Sequence, residues 1–172
     1  RAVLPADFHA DVVRTGIALY GGAPNRSEPG PMQPVVGLEA RVIQIRTIAA
    51  GGAVGYGHSH HCERGSRIAT LGVGYADGLP RSLGNRGAAW HAGERLPIVG
   101  RVSMDSITIE VTALPSGRIE AGDWVELIGA HQSIDAIADD AGTISYEMLT
   151  SLGARYDRTY VSATACRRGE AA

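Results

Sequence analysis

From Val35 onward the chain alternates apolar and polar positions with the period of a β-strand. Val36, Leu38, Ala40 and Val42 fall on one face, Glu39 and Arg41 on the other. The phase then slips: Ile43 and Ile45 are apolar while Gln44 and Arg46 are polar, the one-residue shift that a β-bulge makes where a sheet bends. Further strands are predicted over 67–73, 95–99 and 106–111 and, after the turn Ala121-Gly122-Asp123, over Trp124–Ile128. Many short strands between Gly-rich turns predict a mainly β fold, an antiparallel barrel closed or nearly so.

A helical period returns only late. Ile134, Ile137, Ala138 and Ala141 lie at i, i+3, i+4 and i+7 behind Ser133 as N-cap, with Gly142 as the stop. Ile144, Met148, Leu149 and Leu152 predict a second short helix, capped by Thr143 and ended by Gly153, with Tyr146 in its first turn. A last strand is expected over 159–163. Ahead of Val35 the pattern differs: Val12-Val13-Arg14 reads as a short buried strand handing over to a short helix at Gly16. Residues 22–34 hold Pro24, Pro29, Pro31 and Pro34, the punctuation of a loop or linker. These shifts divide the chain into 1–34, a β domain over 35–168, and a loose tail at 169–172.

Composition narrows the function. With 44% hydrophobic and 20% charged residues the chain has a globular balance, and no apolar run is long enough for a membrane helix. No signal-peptide pattern opens it, so a cytoplasmic protein is expected. A net charge of −2 and scattered Arg residues give no basic patch for nucleic acid. The two cysteines, Cys62 and Cys166, make neither a disulfide scaffold nor a four-thiolate zinc site. All 16 basic residues are Arg, so chemistry that needs an amine nucleophile cannot be completed by this sequence alone. The opening at Arg1 and the Arg167-Arg168-Gly169-Glu170 tail suggest a piece of a longer protein.

Several residues are placed to carry chemistry. Tyr56 lies between Gly55 and Gly57, and Tyr75 sits in Gly72-Val73-Gly74-Tyr75-Ala76-Asp77-Gly78, where glycines let the backbone bend sharply against a ligand. The alternative for each is ordinary half-buried packing. Arg14 is either half of a structural salt bridge or a ligand contact beside Gly16 and Ile17, whose N–H groups at a helix start suit an anion; Tyr146 adds a hydroxyl. Gly100-Arg101-Val102-Ser103-Met104-Asp105 gathers a cation, a hydroxyl, a thioether and a carboxylate, or forms a plain hairpin edge. His58, His60, His61 and Cys62 suit zinc by chemistry but have no second ligand pair elsewhere, and a solvated loop is the expected outcome, with no metal site.

In order along the chain, Val13-Arg14-Thr15-Gly16-Ile17-Ala18-Leu19-Tyr20-Gly21, Val54-Gly55-Tyr56-Gly57, Val73-Gly74-Tyr75-Ala76-Asp77-Gly78-Leu79-Pro80-Arg81, Gly100-Arg101-Val102-Ser103-Met104-Asp105 and Gly142-Thr143-Ile144-Ser145-Tyr146-Glu147 resemble the alanine racemases over nearly the whole sequence. The resemblance implies the end of a (β/α)8 barrel followed by the C-terminal β domain of an enzyme that interconverts L- and D-alanine with pyridoxal phosphate (PLP), supplying D-alanine for the bacterial cell wall. It implies that the PLP lysine lies in a part of the barrel outside this sequence and that the fragment is inactive alone. Tyr56 then matches the tyrosine acid/base, which needs help to ionise because a free phenol titrates near pH ~10. Arg14 matches the arginine facing the PLP ring nitrogen, where a permanent guanidinium charge disfavours protonation. Gly16, Ile17 and Tyr146 match the phosphate binders, Met104 a substrate contact, and Tyr75, Arg81, Arg101 and Asp105 the passage by which substrate enters. A head-to-tail homodimer is implied, in which Tyr56 serves the partner's PLP while Arg14 and Tyr146 serve their own. The run His58-Ser59-His60-His61-Cys62 departs from the family pattern. A serine or broad-specificity racemase, a non-catalytic β-barrel interaction module and a metal-dependent module stand as alternatives.

Overall fold

The computed structural model describes residues 7, 10–12, 14–24 and 32–161. Among the described residues eight strands are formed: β1 (Leu38–Ile48), β2 (Ala53–Val54), β3 (His60–His61), β4 (Ser66–Leu71), β5 (Ala88–His91), β6 (Glu94–Pro97), β7 (Ile107–Glu110) and β8 (Trp124–Ile128). Two helices follow, α1 (Ile134–Ala141) and α2 (Ser145–Ser151). Six strands make one sheet in the order β6-β5-β8-β1-β4-β7, every pairing antiparallel. Its two ends meet: Ile98, just past β6, bridges to Ile109 on β7, and the Val99 amide donates to the Thr108 carbonyl at 2.9 Å. The sheet is therefore a nearly closed barrel, which removes the exposed edges an open sheet would offer.

Strand β1 makes the bend. Its first half pairs with β8 through Leu38–Arg41, its second half with β4, and the register slips between Val42 and Gln44 where the parity of the sequence changes. Before the bulge Leu38, Ala40 and Val42 are buried; Ile43, the extra residue, is 60% exposed. Fully buried Leu71, Leu96, Ile107, Ile109 and Leu127 fill the interior, and α1 caps it with Ile134, Ile137, Ala138 and Ala141. Ser133 caps α1 as expected, its hydroxyl accepting from the Ala136 amide at 3.1 Å, and Gly142 ends it at φ 74°. Helix α2 differs in its caps. Ile144 occupies the N-cap, Thr143 instead donates its hydroxyl to Glu147, and the helix ends at Leu152 rather than at Gly153.

Two expectations fail among the described residues. Val12 lies in a bend, 82% exposed, and Arg14 is exposed coil, so the described residues of this stretch form no buried strand; Val13 is outside the described residues. No described strand stands beside this stretch to pair its backbone, and an apolar run without a neighbour stays coil. Residues 159–161 are also coil, with Tyr160 88% exposed; the rest of that expected strand, 162–163, lies outside the described residues, as does the 169–172 tail. Its β-branched residues suit a strand, but no described edge receives them. Conversely, β2, β3 and β5 have no counterpart in the alternation. Between Gly16–Tyr20, a single 3-10 turn, and Gln33 the loop doubles back, so that a side chain on Gly21 would overlap the Gln33 carbonyl; 25–31 are outside the described residues.

Candidate active site

Strands β2 and β3 form a two-stranded ribbon that stands off the barrel on a small apolar cluster of its own: Val54, Cys62, Ile68 and Val99. The Tyr56–His58 turn joins the two strands. Glycine is required on both sides of Tyr56. Gly55 has φ 78° and packs back to back with Gly100 at φ 80°; a methyl group built on Gly55 would stand 3.0 Å from the Arg101 amide nitrogen. Gly57 holds φ 68°, where a side chain is strained, and the Arg101 guanidinium packs beside it, its carbon 3.5 Å from where a methyl would stand. The sequence thus trades side chains for close approach of two backbones. Tyr56 is left 74% exposed at the tip.

Two further loops close on this one. Asp77 turns back to accept the Gly74 amide at 2.8 Å, tightening the Tyr75–Asp77 turn. The Tyr75 and Ala76 amides then donate to the Ser103 and Met104 carbonyls, each at 3.0 Å. Gly74 permits this, because a methyl on it would stand 2.5 Å from the Ser103 carbonyl oxygen. The Arg81 guanidinium lies 5.7 Å from the centre of the Tyr75 ring. Tyr56, Tyr75, Arg81, Arg101, Val102, Ser103 and Met104 line one open cleft of about 220 Å³. Five residues singled out from the sequence, from three separate segments, therefore share one surface. Asp105 stands beside the cleft and accepts from Arg155 at 2.7 Å, while the same guanidinium reaches Asp77 at 3.3 Å.

Gly16 and Tyr146 meet elsewhere, in a second group. Gly16 opens the Gly16–Tyr20 turn at φ 58°, and a side chain there would overlap the Tyr146 hydroxyl. The first N–H groups of such a turn have no partner inside it. Asp135 on α1 fastens this group: it accepts the Ala23 amide at 2.8 Å and the hydroxyl of Ser145, the residue before Tyr146. Arg14 is exposed two residues before Gly16. The backbone amides at the turn's start and the phenol O–H form a donor set on a cradle that a Cβ would fill, and that set suits the acceptor oxygens of a phosphate.

His60 and His61 are successive residues of β3 and face opposite ways, while Cys62 is buried. Among the described residues no three His, Cys, Asp or Glu side chains stand together as metal ligands. Sequence reasoning missed Asn85, which touches two of the cleft's loops, and the tie of Arg155 to Asp77. Asn flanked by glycine in Gly84-Asn85-Arg86-Gly87 was the available signal, since Asn tolerates positive φ.

A barrel of this topology with a glycine-framed tyrosine at its rim defines a class of β domain. The family model for the alanine racemase C-terminal domain matches residues 35–160, and the chain belongs to that family. It is 57% identical over 155 residues to the catabolic alanine racemase of Agrobacterium fabrum, covering 90% of this chain and 40% of that protein. To the catabolic alanine racemase of Rhizobium johnstonii it is 58% identical over 153 residues, covering 89% and 41%. The crystal structure of alanine racemase from Bartonella henselae with covalently bound pyridoxal phosphate superposes with TM-score 0.88 at 50% identity, covering 92% of this chain and 44% of that one. The biosynthetic alanine racemase of Pseudomonas aeruginosa gives 0.81 at 39% identity, covering 86% and 41%. The chain spans about two fifths of the length of the curated relatives it matches.

Proposed function

We propose that this chain is the C-terminal part of a PLP-dependent alanine racemase. Residues 1–34 end a (β/α)8 barrel, 35–168 form the β domain and 169–172 are a tail. The observation that carries this is the cleft in which Tyr56, Tyr75, Arg81, Arg101 and Met104 come together. PLP, when bound, supplies the electron sink that makes the Cα proton of an amino acid acidic. The chain's own residues do the rest. Gly16 and Ile17 through their amides and Tyr146 through its hydroxyl would hold the phosphate, and Arg14 would supply a permanent charge beside the ring nitrogen. Tyr56 takes or returns the Cα proton at its phenol oxygen, on the face opposite the lysine. Arg81 and Arg101 give the cleft two permanent positive charges that draw in a carboxylate-bearing substrate. Met104 bounds the substrate, and Tyr75 and Asp105 line the way to it.

Gly16, Ile17 and Tyr146 do not line the cleft that Tyr56 does. That separation supports a head-to-tail homodimer in which Tyr56 serves the partner's cofactor. With no lysine in its sequence, the fragment alone racemises nothing. The enzyme acts in the cytoplasm and supplies D-alanine for the cell wall; the Agrobacterium and Rhizobium relatives are named catabolic, and the same chemistry runs both ways. In the full-length protein, Tyr56→Phe lowers racemisation at least ~100-fold while PLP stays bound, the usual scale for a lost acid/base. Unaltered racemisation in both directions overturns the assignment.

A further inference from the structure

Tyr56 is 74% exposed at the cleft described above, so packing of its own ring does little to fix it. Its position is set by the backbone of the loop that carries it. That loop is gripped from outside the ribbon by one side chain. The Asn85 amide nitrogen donates to the Ser59 carbonyl at 3.1 Å, and its carbonyl oxygen accepts the Gly100 amide at 2.6 Å. Ser59 ends the Tyr56 turn, and Gly100 is the residue packed against Gly55 at its start. One planar amide therefore spans both ends of the tyrosine loop.

The anchor beneath Asn85 is rigid. Leu83 is fully buried, the Arg86 and Gly87 amides donate to its carbonyl at 3.1 and 2.9 Å, and the Ile98 amide donates to the Gly87 carbonyl at 2.9 Å. Asn85 holds φ 57°, a left-handed conformation that Asn tolerates and most side chains do not. Its two partners also fix which residue can serve: a backbone N–H on one side and a backbone carbonyl on the other call for an acceptor and a donor on one short side chain. The turn that carries Asn85 begins at Arg81, which stacks over Tyr75. The same short segment thus sets the far wall of the cleft and the tyrosine that faces it.

We propose that Asn85 is a positioning residue for Tyr56, holding the phenol in line for proton transfer through the backbone of residues 55–59; this rests on Tyr56 being the acid/base. The test uses the full-length, PLP-loaded enzyme with Asn85→Gly, which keeps the left-handed backbone and deletes the amide. Asn85→Asp is run beside it; it keeps the shape and the acceptor for Gly100 but turns an oxygen toward the Ser59 carbonyl. A misplacement of about 1 Å is worth up to ~100-fold in rate, so kcat should fall about 10–100-fold with the PLP absorbance and melting temperature little changed.

The discriminating readout is the Cα-deuterium isotope effect. It should rise in the direction in which Tyr56 removes the proton and stay as in the parent in the direction in which the lysine does. General loosening would move both alike. Isotope effects that are unchanged in both variants, or that change equally in the two directions, overturn the proposal while Tyr56→Phe, measured in parallel, remains inactive. A fully active Tyr56→Phe enzyme overturns the reading of Tyr56 itself and the role of Asn85 with it.

Discussion

Gly16 and Tyr146, 130 positions apart in sequence, meet so closely that the glycine has no space for a side chain: a Cβ there would overlap the phenol oxygen. The obstacle is the far end of a flexible side chain and can move, although at φ 58° a side chain on residue 16 is also strained. In the full-length protein, Gly16→Ala should push the hydroxyl off its position and weaken PLP retention by about tenfold, the loss of one hydrogen bond to an ionised group. Tyr146→Phe should do the same. Equilibrium titration of the PLP-free protein measures both, and unchanged affinity in both variants would remove these residues from the phosphate site.

Gly78 meets a harder obstacle. At φ 97° its added methyl would overlap the Ser151 carbonyl, which is backbone at the end of α2. Neither partner can rotate away. Gly78→Ala should destabilise the domain by about 3 kcal/mol, at the upper end of what overpacking costs, read as a lower urea midpoint with an unchanged slope.

Glu126 links stability to acid. Burial acts to raise its pKa, but donation from the His131 ring, from the His131 and Gln132 amides at 2.7 and 3.2 Å, and the charge of His131 outweigh it and hold the carboxyl below its ordinary 4.5. A depressed carboxylate contributes stability that is complete above pH 4.5 and is lost as the pH falls through the folded value. Glu126→Gln should therefore be less stable than the parent at pH 7, and the gap should narrow as the pH falls below 4.5. Urea midpoints measured from pH 7 downward would show a constant gap if the carboxylate is not linked to folding.

Tyr156 makes the opposite link. Burial, and then the charge of Asp77, raise its pKa from 10.0 to about 12, against an opposing pull from Arg155. A raised phenol contributes stability that is complete below pH 10.0 and lost as the pH climbs toward about 12. Its hydroxyl is buried without a hydrogen bond among the described residues. Tyr156→Phe should thus be as stable as the parent or more so at pH 7, since it removes an unsatisfied polar group. It should also lose less stability between pH 10 and 12. Thermal melts across that window decide it.

Much of the barrel was legible because its walls alternate. The slip from Val42 to Ile43 placed the bulge in β1, and Ser133, Gly142 and the spacing of Ile134 and Ile137 placed α1. Strand β5 was hidden because Ala88-Ala89-Trp90-His91 has no alternation to read, and β2 and β3 are two residues each. Val12 misled for a different reason: apolar character predicts burial only where a neighbour exists to bury against. At the site, the sequence named side chains but not their meeting. Tyr56, Tyr75, Arg81 and Arg101 are joined by backbone contacts between loops, and Asn85 carries no chemistry of its own to draw notice.

Helix α2 meets Gly16 at one end, through Tyr146, and the Tyr75 turn at the other, through Ser151 and Gly78. At 1.5 Å per residue these two contacts are about 7.5 Å apart along its axis. The helix is a ruler. Gaining or losing one residue within it would turn one contact about 100° away from the other, so an insertion or deletion in α2 keeps one of the two contacts only by losing the other. The hairpin turn Ala92-Gly93, by contrast, meets nothing at Gly93 and is free to grow.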